Sequence, residues 1–303
     1  MSTSDPDARA LPIRMKIVEV AYNVQTATNA HHNLITNYQV TNKKDDDALA
    51  PMAIEAKRVL GLQDDDLLTA LADKGYCKGA SLHTCHESNI ETYVAVPQPS
   101  QGKCHPDFTK DKCSYDINTD TYICPGGQRL HTTGTLYRKD KNKDYRFRRY
   151  SLPFKVCNAC PFKNDCAKSK IKHRHGRFID RGEFEHAVEY NKTNISLNRR
   201  LYKRRQAIVE HPFGTIKRQW GYDHTLLKSI KKVSRELALI FSTYNLKRAM
   251  SILGAEELIL ALREAIYIIL STWHPVKPHC SYILCRSMVL QRAAHRNIPR
   301  ISI

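Results

Sequence analysis

The amino-acid sequence predicts an α/β fold, a mixed sheet with flanking helices, interrupted by a small basic segment that contains cysteines. Three observations lead there. Short runs rich in β-branched and aromatic residues alternate with helix-period segments through residues 1–96. Apolar periodicity then fades over residues 97–181, where turn residues, cysteines and cations accumulate. Helix-period apolar residues return from Glu183. The expected organisation is therefore 1–96 as the first part of the core, 97–181 as a basic insertion, 182–254 as the helical remainder of the core, and 255–303 as a C-terminal helix with a poorly defined tail.

The elements follow in order. Residues 19–28 (EVAYNVQTAT) and 33–41 (NLITNYQVT) read as strands, and the polar tetrad 29–32 between them predicts an antiparallel hairpin. Leu49, Met52, Ala53, Ala56 and Val59/Leu60 share one face of a helix over 47–60, with Gly61 as its stop. Asp64, Asp65 and Asp66 precede an apolar strand at 67–72, and Asp73 stands immediately after it. Gly75 is expected to permit a tight turn into a helix over 79–88. A strand over 91–96 is ended by Pro97 and Pro99. Residues 138–177 hold 14 Lys/Arg against 3 acids. Helices are expected over 198–220 and over 230–253, the second closed by Gly254. Beyond Glu264 there is no acidic residue, and 271–303 shows no readable pattern.

Charge narrows the function. The formal net charge is +18, and it is uneven: residues 1–100 hold 9 Lys/Arg and 13 Asp/Glu, the remainder 39 and 17. A basic lobe beside an acidic one points to a polyanion partner, nucleic acid being the commonest. The opening MSTSDPDARALPIR has no charged start followed by an apolar stretch, which predicts no secretory signal. The most apolar run, 258–273, contains Arg263 and Glu264 and is shorter than the ~20 residues a bilayer requires. The expectation is a cytoplasmic protein with no membrane partner, whose ten cysteines are metal ligands or buried thiols rather than disulfides.

Two acids are candidates for catalysis. Asp73 stands at the carboxyl end of a strand, where metal-binding carboxylates are common in α/β folds; the plainer reading is a capping aspartate. Glu210 lies among Ile208, Val209 and Phe213 with dense cations around it, and the plainer reading is a solvated helix. On a continuous helix Glu210 and Lys217, seven positions apart, share a face, although Pro212 is placed to kink that helix. Together the acids suit phosphodiester chemistry, in which carboxylates from separate elements hold divalent ions about 3.5–4 Å apart. Oxygen ligands favour Mg²⁺ or Mn²⁺. Arg199, Arg200, Lys203, Arg204, Arg205 and Arg218 surround Glu210, while Lys228, Lys231, Lys232 and Arg235 open the next helix; such cations track a phosphate backbone.

The cysteines are a separate signal. Cys157 and Cys160 form a Cys-x-x-Cys knuckle, with Cys166 after it and Cys124 before it, a set suited to tetrahedral Zn²⁺. Basic flanks are expected to lower the thiol pKa values. Metal-free reduced thiols are the alternative. Cys104 and Cys113, with His105, are weaker ligand candidates; Cys77, Cys85, Cys280 and Cys285 read as structural or incidental. Tyr145, Phe147, Tyr150 and Phe154 interleave with Arg146, Arg148 and Arg149, which suits either stacking of unpaired bases or a strand with alternating faces.

The strings SDPDAR (4–9), YNVQTATN (22–29), LADKGY (71–76) and IVEHPFGTIKRQWG (208–221) resemble, in this order, the DDE transposases of bacterial insertion sequences. The resemblance covers residues 4–254 and implies an RNase H-like core that cuts and joins DNA. It implies Asp73 as the second acid of the triad and Glu210 as the third, with Tyr202 and Lys217 matching the signature around the third acid. The arginine position of that signature holds Gln206, with Arg205 beside it. Similar transposases carry the cysteine pattern between the second and third acids. The family's first aspartate sits on an opening strand upstream of the SDPDAR string, and the chain starts almost at that string. The expectation is a fragment truncated at the N-terminus, impaired in catalysis, with a hairpin edge exposed and with Asp5 and Asp7 as weak substitutes for the first acid. The implied partners are double-stranded DNA, both element ends and target, and a second copy in a homodimer. The rival readings are a non-catalytic DNA-binding remnant and a nuclease on the same fold.

Overall fold

A computed structural model describes residues 4–14, 17–97, 105–139, 142–166, 176–273 and 300–303. The chain divides into two units, one made of Met1–Ala95 with Asn191–Ile303 and the other of Val96–Tyr190. Among the described residues no helix is long and apolar enough to cross a membrane. Cys104, Cys280 and Cys285 lie outside the described residues.

In the first unit, β1 (Arg9–Arg14) and β2 (Ile17–Ala21) form an antiparallel ribbon, and β3 (Asn23–Asn29) pairs antiparallel with β4 (Ile35–Thr41). The single strand expected over 19–28 is thus two strands in separate sheets. The break is at Tyr22, which packs against the core while its hydroxyl donates to Asp5 Oδ2 at 2.6 Å. A 3-10 turn at Asp45–Asp47 leads into α1 (Leu49–Val59), whose Leu49, Met52, Ala53 and Ala56 are buried as their spacing predicts. Next come β5 (Leu68–Ala72), α2 (Gly79–Glu87) and β6 (Ile90–Val94), with β5 and β6 parallel. Every residue of β5 is buried, as a central strand covered on both faces requires.

The second unit is built on an antiparallel sheet. Its strands are β7 (Ser114–Asp116), β8 (Thr121–Ile123), β9 (Arg129–Lys139) and β10 (Asn142–Ser151), followed by short helices α3 (Phe154–Asn158) and α4 (Lys163–Cys166), then β11 (Phe178–Gly182). The order is β11-β10-β9-β8-β7 around a core of Cys113, Tyr122, Leu130, Tyr150, Leu152 and Ile179. Of the two readings of the aromatic run, the strand with alternating faces is the one observed. Phe147 and Tyr150 are buried, and the Tyr150 and Tyr115 hydroxyls both donate to Asp120 Oδ1, at 2.6 and 2.7 Å. Arg149 stacks on Phe178, 4.4 Å from its ring centre, and forms a bidentate pair with Asp180.

Helix α5 (Glu185–Leu197) leads back into the first unit, where α6 (Arg199–Phe213), α7 (Ile230–Leu253), α8 (Ala255–Trp273) and β12 (Arg300–Ser302) follow. The unreadable tail therefore ends in a strand, and that strand is central. The main sheet runs β4-β3-β12-β5-β6, with β12 antiparallel to β3 (Ile301 opposite Asn29) and parallel to β5 (Ile301 opposite Ala70). The edge of β3 expected to be exposed is covered by β12 at Thr28 and Asn29. Both outer strands are closed by asparagines. Asn191 on α5 exchanges two hydrogen bonds with the Val94 backbone (2.8 and 2.7 Å), and Asn245 on α7 does the same with Ile35 (2.9 and 2.8 Å). These amides occupy groups that would otherwise recruit another strand. A core of Ile35, Val40, Ile216, Val233, Leu237, Phe241 and Tyr244 fixes α7 against the hairpin.

Candidate active site

The centre of the site is the carboxyl end of β5. Asp73 has extended backbone and caps a 3-10 turn at Lys74–Tyr76, its Oδ1 accepting from Lys74 N at 2.7 Å. The capping reading is thus observed, with one carboxylate oxygen serving the turn while the side chain stays 53% exposed. Gly75 acts otherwise than expected. It lies outside the left-handed region, and its missing side chain matters because a Cβ there would stand 3.3 Å from Asp45 Oδ2.

Helix α6 supplies the other candidates. Ile208 packs with Leu71 and Tyr93, and Leu201 and Tyr202 pack against that cluster, so α6 lies on β5 and β6. This brings Arg205 Nη2 to 3.9 Å from Asp73 Oδ1 and leaves its guanidinium 5.8 Å from the Tyr202 ring centre. Glu210 is exposed, and its Oε1 accepts from Gln206 Nε2 at 2.8 Å, one helical turn back. Gln206 therefore contacts Glu210 directly, while Arg205 lies beside Asp73. Arg204, Lys217 and Arg218 are exposed, with Lys217 Nζ 5.5 Å from the Phe213 ring centre.

Pro212 neither ends α6 nor starts a new helix. The helix passes through it and widens into a π-helical turn at Gly214–Gln219. Proline has no N–H to offer the carbonyl one turn back, and such defects are commonly absorbed by a wider turn. Lys217 is consequently rotated about the axis from where a straight α-helix would carry it, so the shared face expected from the seven-residue spacing does not follow.

Asp5 and Asp7 have structural roles at the start of α7. Ser229 N donates to Asp5 Oδ2 at 3.4 Å and Ile230 N to Asp7 Oδ2 at 3.0 Å, so both carboxylates meet the positive end of that helix. The hydrogen bond from Tyr22, against the opposing effect of burial, holds the Asp5 carboxyl below its ordinary range. Neither acid is brought to the end of β5 by these contacts.

Among the described residues no group of three or more His, Cys, Asp or Glu side chains is arranged to hold a metal ion. The donors at Asp73 and Glu210 are nevertheless hard carboxylate oxygens, both exposed, and of the chemistry that Mg²⁺ or Mn²⁺ takes. In the second unit Cys124, Cys157, Cys160 and Cys166 line one cavity of about 220 Å³. A Cβ on Gly126 would lie 3.4 Å from Cys160 Sγ and 3.7 Å from Cys124 Sγ, while Arg177 reaches Cys157 Sγ through its backbone N–H and Cys166 Sγ through Nη1, both at 3.1 Å. Cys113 is buried with its Sγ 4.0 Å from Arg177 Nη2. The basic surroundings do not lower the Cys166 and Cys113 thiols as expected. Burial pushes Cys166 and Cys113 up, outweighing the pull of Arg177. Cys85 is fully buried and its thiol is pushed up to about 12 by burial, which fits a structural side chain.

Asp45 stands in no motif that singles it out in the sequence. The Gly75 approach and the hydrogen bonds from Asn23 Nδ2 (2.5 Å) and Gln25 Nε2 (3.1 Å) now place it beside the Asp73 turn. No curated protein and no solved structure matched the chain in comparison. A family model described as a transposase DDE domain matches residues 123–250, a stretch that holds the four cysteines, Glu210 and Lys217 and leaves Asp73 outside it. Residues 123–250 are thus similar to a transposase DDE domain.

Proposed function

We propose that this chain cuts DNA strands at the ends of an insertion sequence and joins them to target DNA, on an RNase H-like core and with divalent metal ions. The observation that carries the reading is the seating of α6, with Glu210, on β5, whose end bears Asp73. The mixed five-stranded sheet with helices packed on it supports the RNase H-like assignment. Asp73 and Glu210 would hold the cation. When bound, Mg²⁺ or Mn²⁺ supplies Lewis-acid stabilisation of the attacking and leaving oxygens of the phosphodiester. Lys217, exposed past the π-helical turn, would hold a phosphate, and Arg204, Arg205 and Arg218 would follow the backbone of double-stranded DNA. Tyr202 packs beside Arg205 and would orient it. The row of exposed apolar side chains on α8, including Ile259, Leu262 and Ile266, supports a homodimer.

The four thiols around one cavity support a structural Zn²⁺ held by Cys124, Cys157, Cys160 and Cys166. Metal analysis of protein purified without chelators is expected to find about one equivalent of zinc, lost in the Cys157→Ser/Cys160→Ser variant. Less than about a tenth of an equivalent in the parent protein would remove zinc from the reading.

The activity test incubates the purified chain with duplexes taken from the DNA that flanks its coding sequence, with Mg²⁺ or Mn²⁺. Cleaved and joined strands are expected, and Asp73→Asn and Glu210→Gln should each abolish both. Cleavage without joining would favour a nuclease. DNA binding without cleavage, unchanged in both variants, would favour the non-catalytic remnant.

A further inference from the structure

We propose that Asp45 is a second carboxylate of the divalent-cation site at Asp73. This deepens the functional reading above and rests on it. The two acids come from separate elements. Asp73 follows β5 and opens the Lys74–Tyr76 turn, while Asp45 follows β4 and opens the Asp45–Asp47 turn. The turns pack together, with Asp45 Oδ2 3.3 Å from where a Cβ on Gly75 would stand and Lys78 paired with Asp47 alongside. A larger residue at position 75 would press on the Asp45 carboxylate, which would have to give by a few tenths of an ångström.

The fold aims Asp45 deliberately. Its Oδ1 accepts from the Asn23 and Gln25 amides on β3, which leaves Oδ2 on the Gly75 side. Both aspartates also bear on Tyr76: its phenol is pushed well up, first by burial and then by the charges of Asp45 and Asp73, with Arg205 opposing. The Arg205 guanidinium stands 3.9 Å from Asp73 Oδ1.

A separate observation points to a ligand. Gln25 is 2% exposed, and while its Nε2 donates to Asp45, its Oε1 meets no hydrogen-bond partner among the described residues. A buried amide oxygen without a donor costs about 1–3 kcal/mol. A hard cation held by Asp45 and Asp73 would meet carbonyl-type oxygen of the kind Mg²⁺ and Mn²⁺ accept as a ligand.

The test is Mn²⁺ binding to the full chain, followed by the electron paramagnetic resonance of free Mn²⁺, so that no turnover is needed. Asp45→Asn keeps the size and the acceptor of the native residue and removes its charge. Asp47→Asn, at the Lys78-paired neighbour, is the control. The proposal expects at least a tenfold loss of affinity in Asp45→Asn and in Asp73→Asn, and no more than twofold in Asp47→Asn. Parent-like binding by Asp45→Asn together with a loss in Asp73→Asn overturns the role of Asp45 and leaves the functional reading standing. Parent-like binding by Asp73→Asn, or no Mn²⁺ binding by the parent at millimolar concentration, overturns the functional reading itself. Should Asp45→Asn misfold by circular dichroism, Asp45→Ser carries the same expectation.

Discussion

Removing the side chain of Ile301 probes the least expected feature of the fold, a three-residue strand at the centre of the main sheet. Ile301 is fully buried between Asn29 on β3 and Ala70 on β5. Ile301→Ala therefore deletes core methyl groups in a site that neighbouring strands cannot close, and such changes cost about 2–5 kcal/mol. With a urea slope of about 2–3 kcal/mol/M for a unit of this size, a loss near 3 kcal/mol lowers the unfolding midpoint by about 1 M. Trp220 packs against the core of the same unit as β12, so its fluorescence reports the relevant transition. Val18→Ala, at a side chain 60% exposed on the β1–β2 ribbon, is the control and should stay within about 0.5 kcal/mol. A midpoint shift for Ile301→Ala below about 0.3 M, no larger than that control, would refute the central placement of β12 and the sheet order built on it.

Further outcomes follow from the same contacts. Asn191→Ala leaves the Val94 N–H and C=O without their side-chain partners in a buried setting, and should cost about 2–4 kcal/mol in urea unfolding; an effect under about 1 kcal/mol would deny the clamp on β6. Burial, reinforced by Arg248, holds the His211 imidazole below its ordinary pKa of about 6.5, so the folded state favours the neutral ring bonded to Tyr244. The stabilisation is complete above that ordinary value and is lost as pH falls through the depressed one, so thermal stability should decline from pH 7 to pH 5 and decline less in His211→Gln. Lys217→Ala should weaken DNA binding alike on all sequences and reduce the slope of log affinity against log salt by about 1; an unchanged slope would remove Lys217 from phosphate contact. Arg205→Gln, by removing the guanidinium 3.9 Å from Asp73, should tighten Mn²⁺ binding, and weaker binding would show that Arg205 supports the site rather than competes for it.

Much of the fold follows from local pattern. The apolar stripe of α1, the all-apolar run of β5, the hairpin around residues 29–32 and the position of Asp73 at a strand end were all readable, because helix and strand periodicities are properties of the backbone itself. The cysteine spacing likewise pointed to four thiols that now line one cavity. The split at Tyr22 was not readable, since an unbroken β-branched run does not record that a tyrosine within it must meet Asp5 and Ser229. Nor did helical spacing alone anticipate the π-helical turn, because the response to Pro212 depends on how Ile216 must reach the Val233 and Phe241 core.

Amino-acid order by itself determined the α/β class and the basic cysteine-bearing segment. Tertiary structure alone decided which chain closes the sheet and which charges meet. Three residues, Arg300 to Ser302, are too few to show a period, yet Ile303 N donates to Leu71 O at 2.8 Å across more than two hundred residues of chain. Asp45 and Arg205 meet the Asp73 turn for the same reason. Such meetings are settled by which burial and hydrogen bonding can be satisfied together, a condition on the whole folded chain that no local window contains.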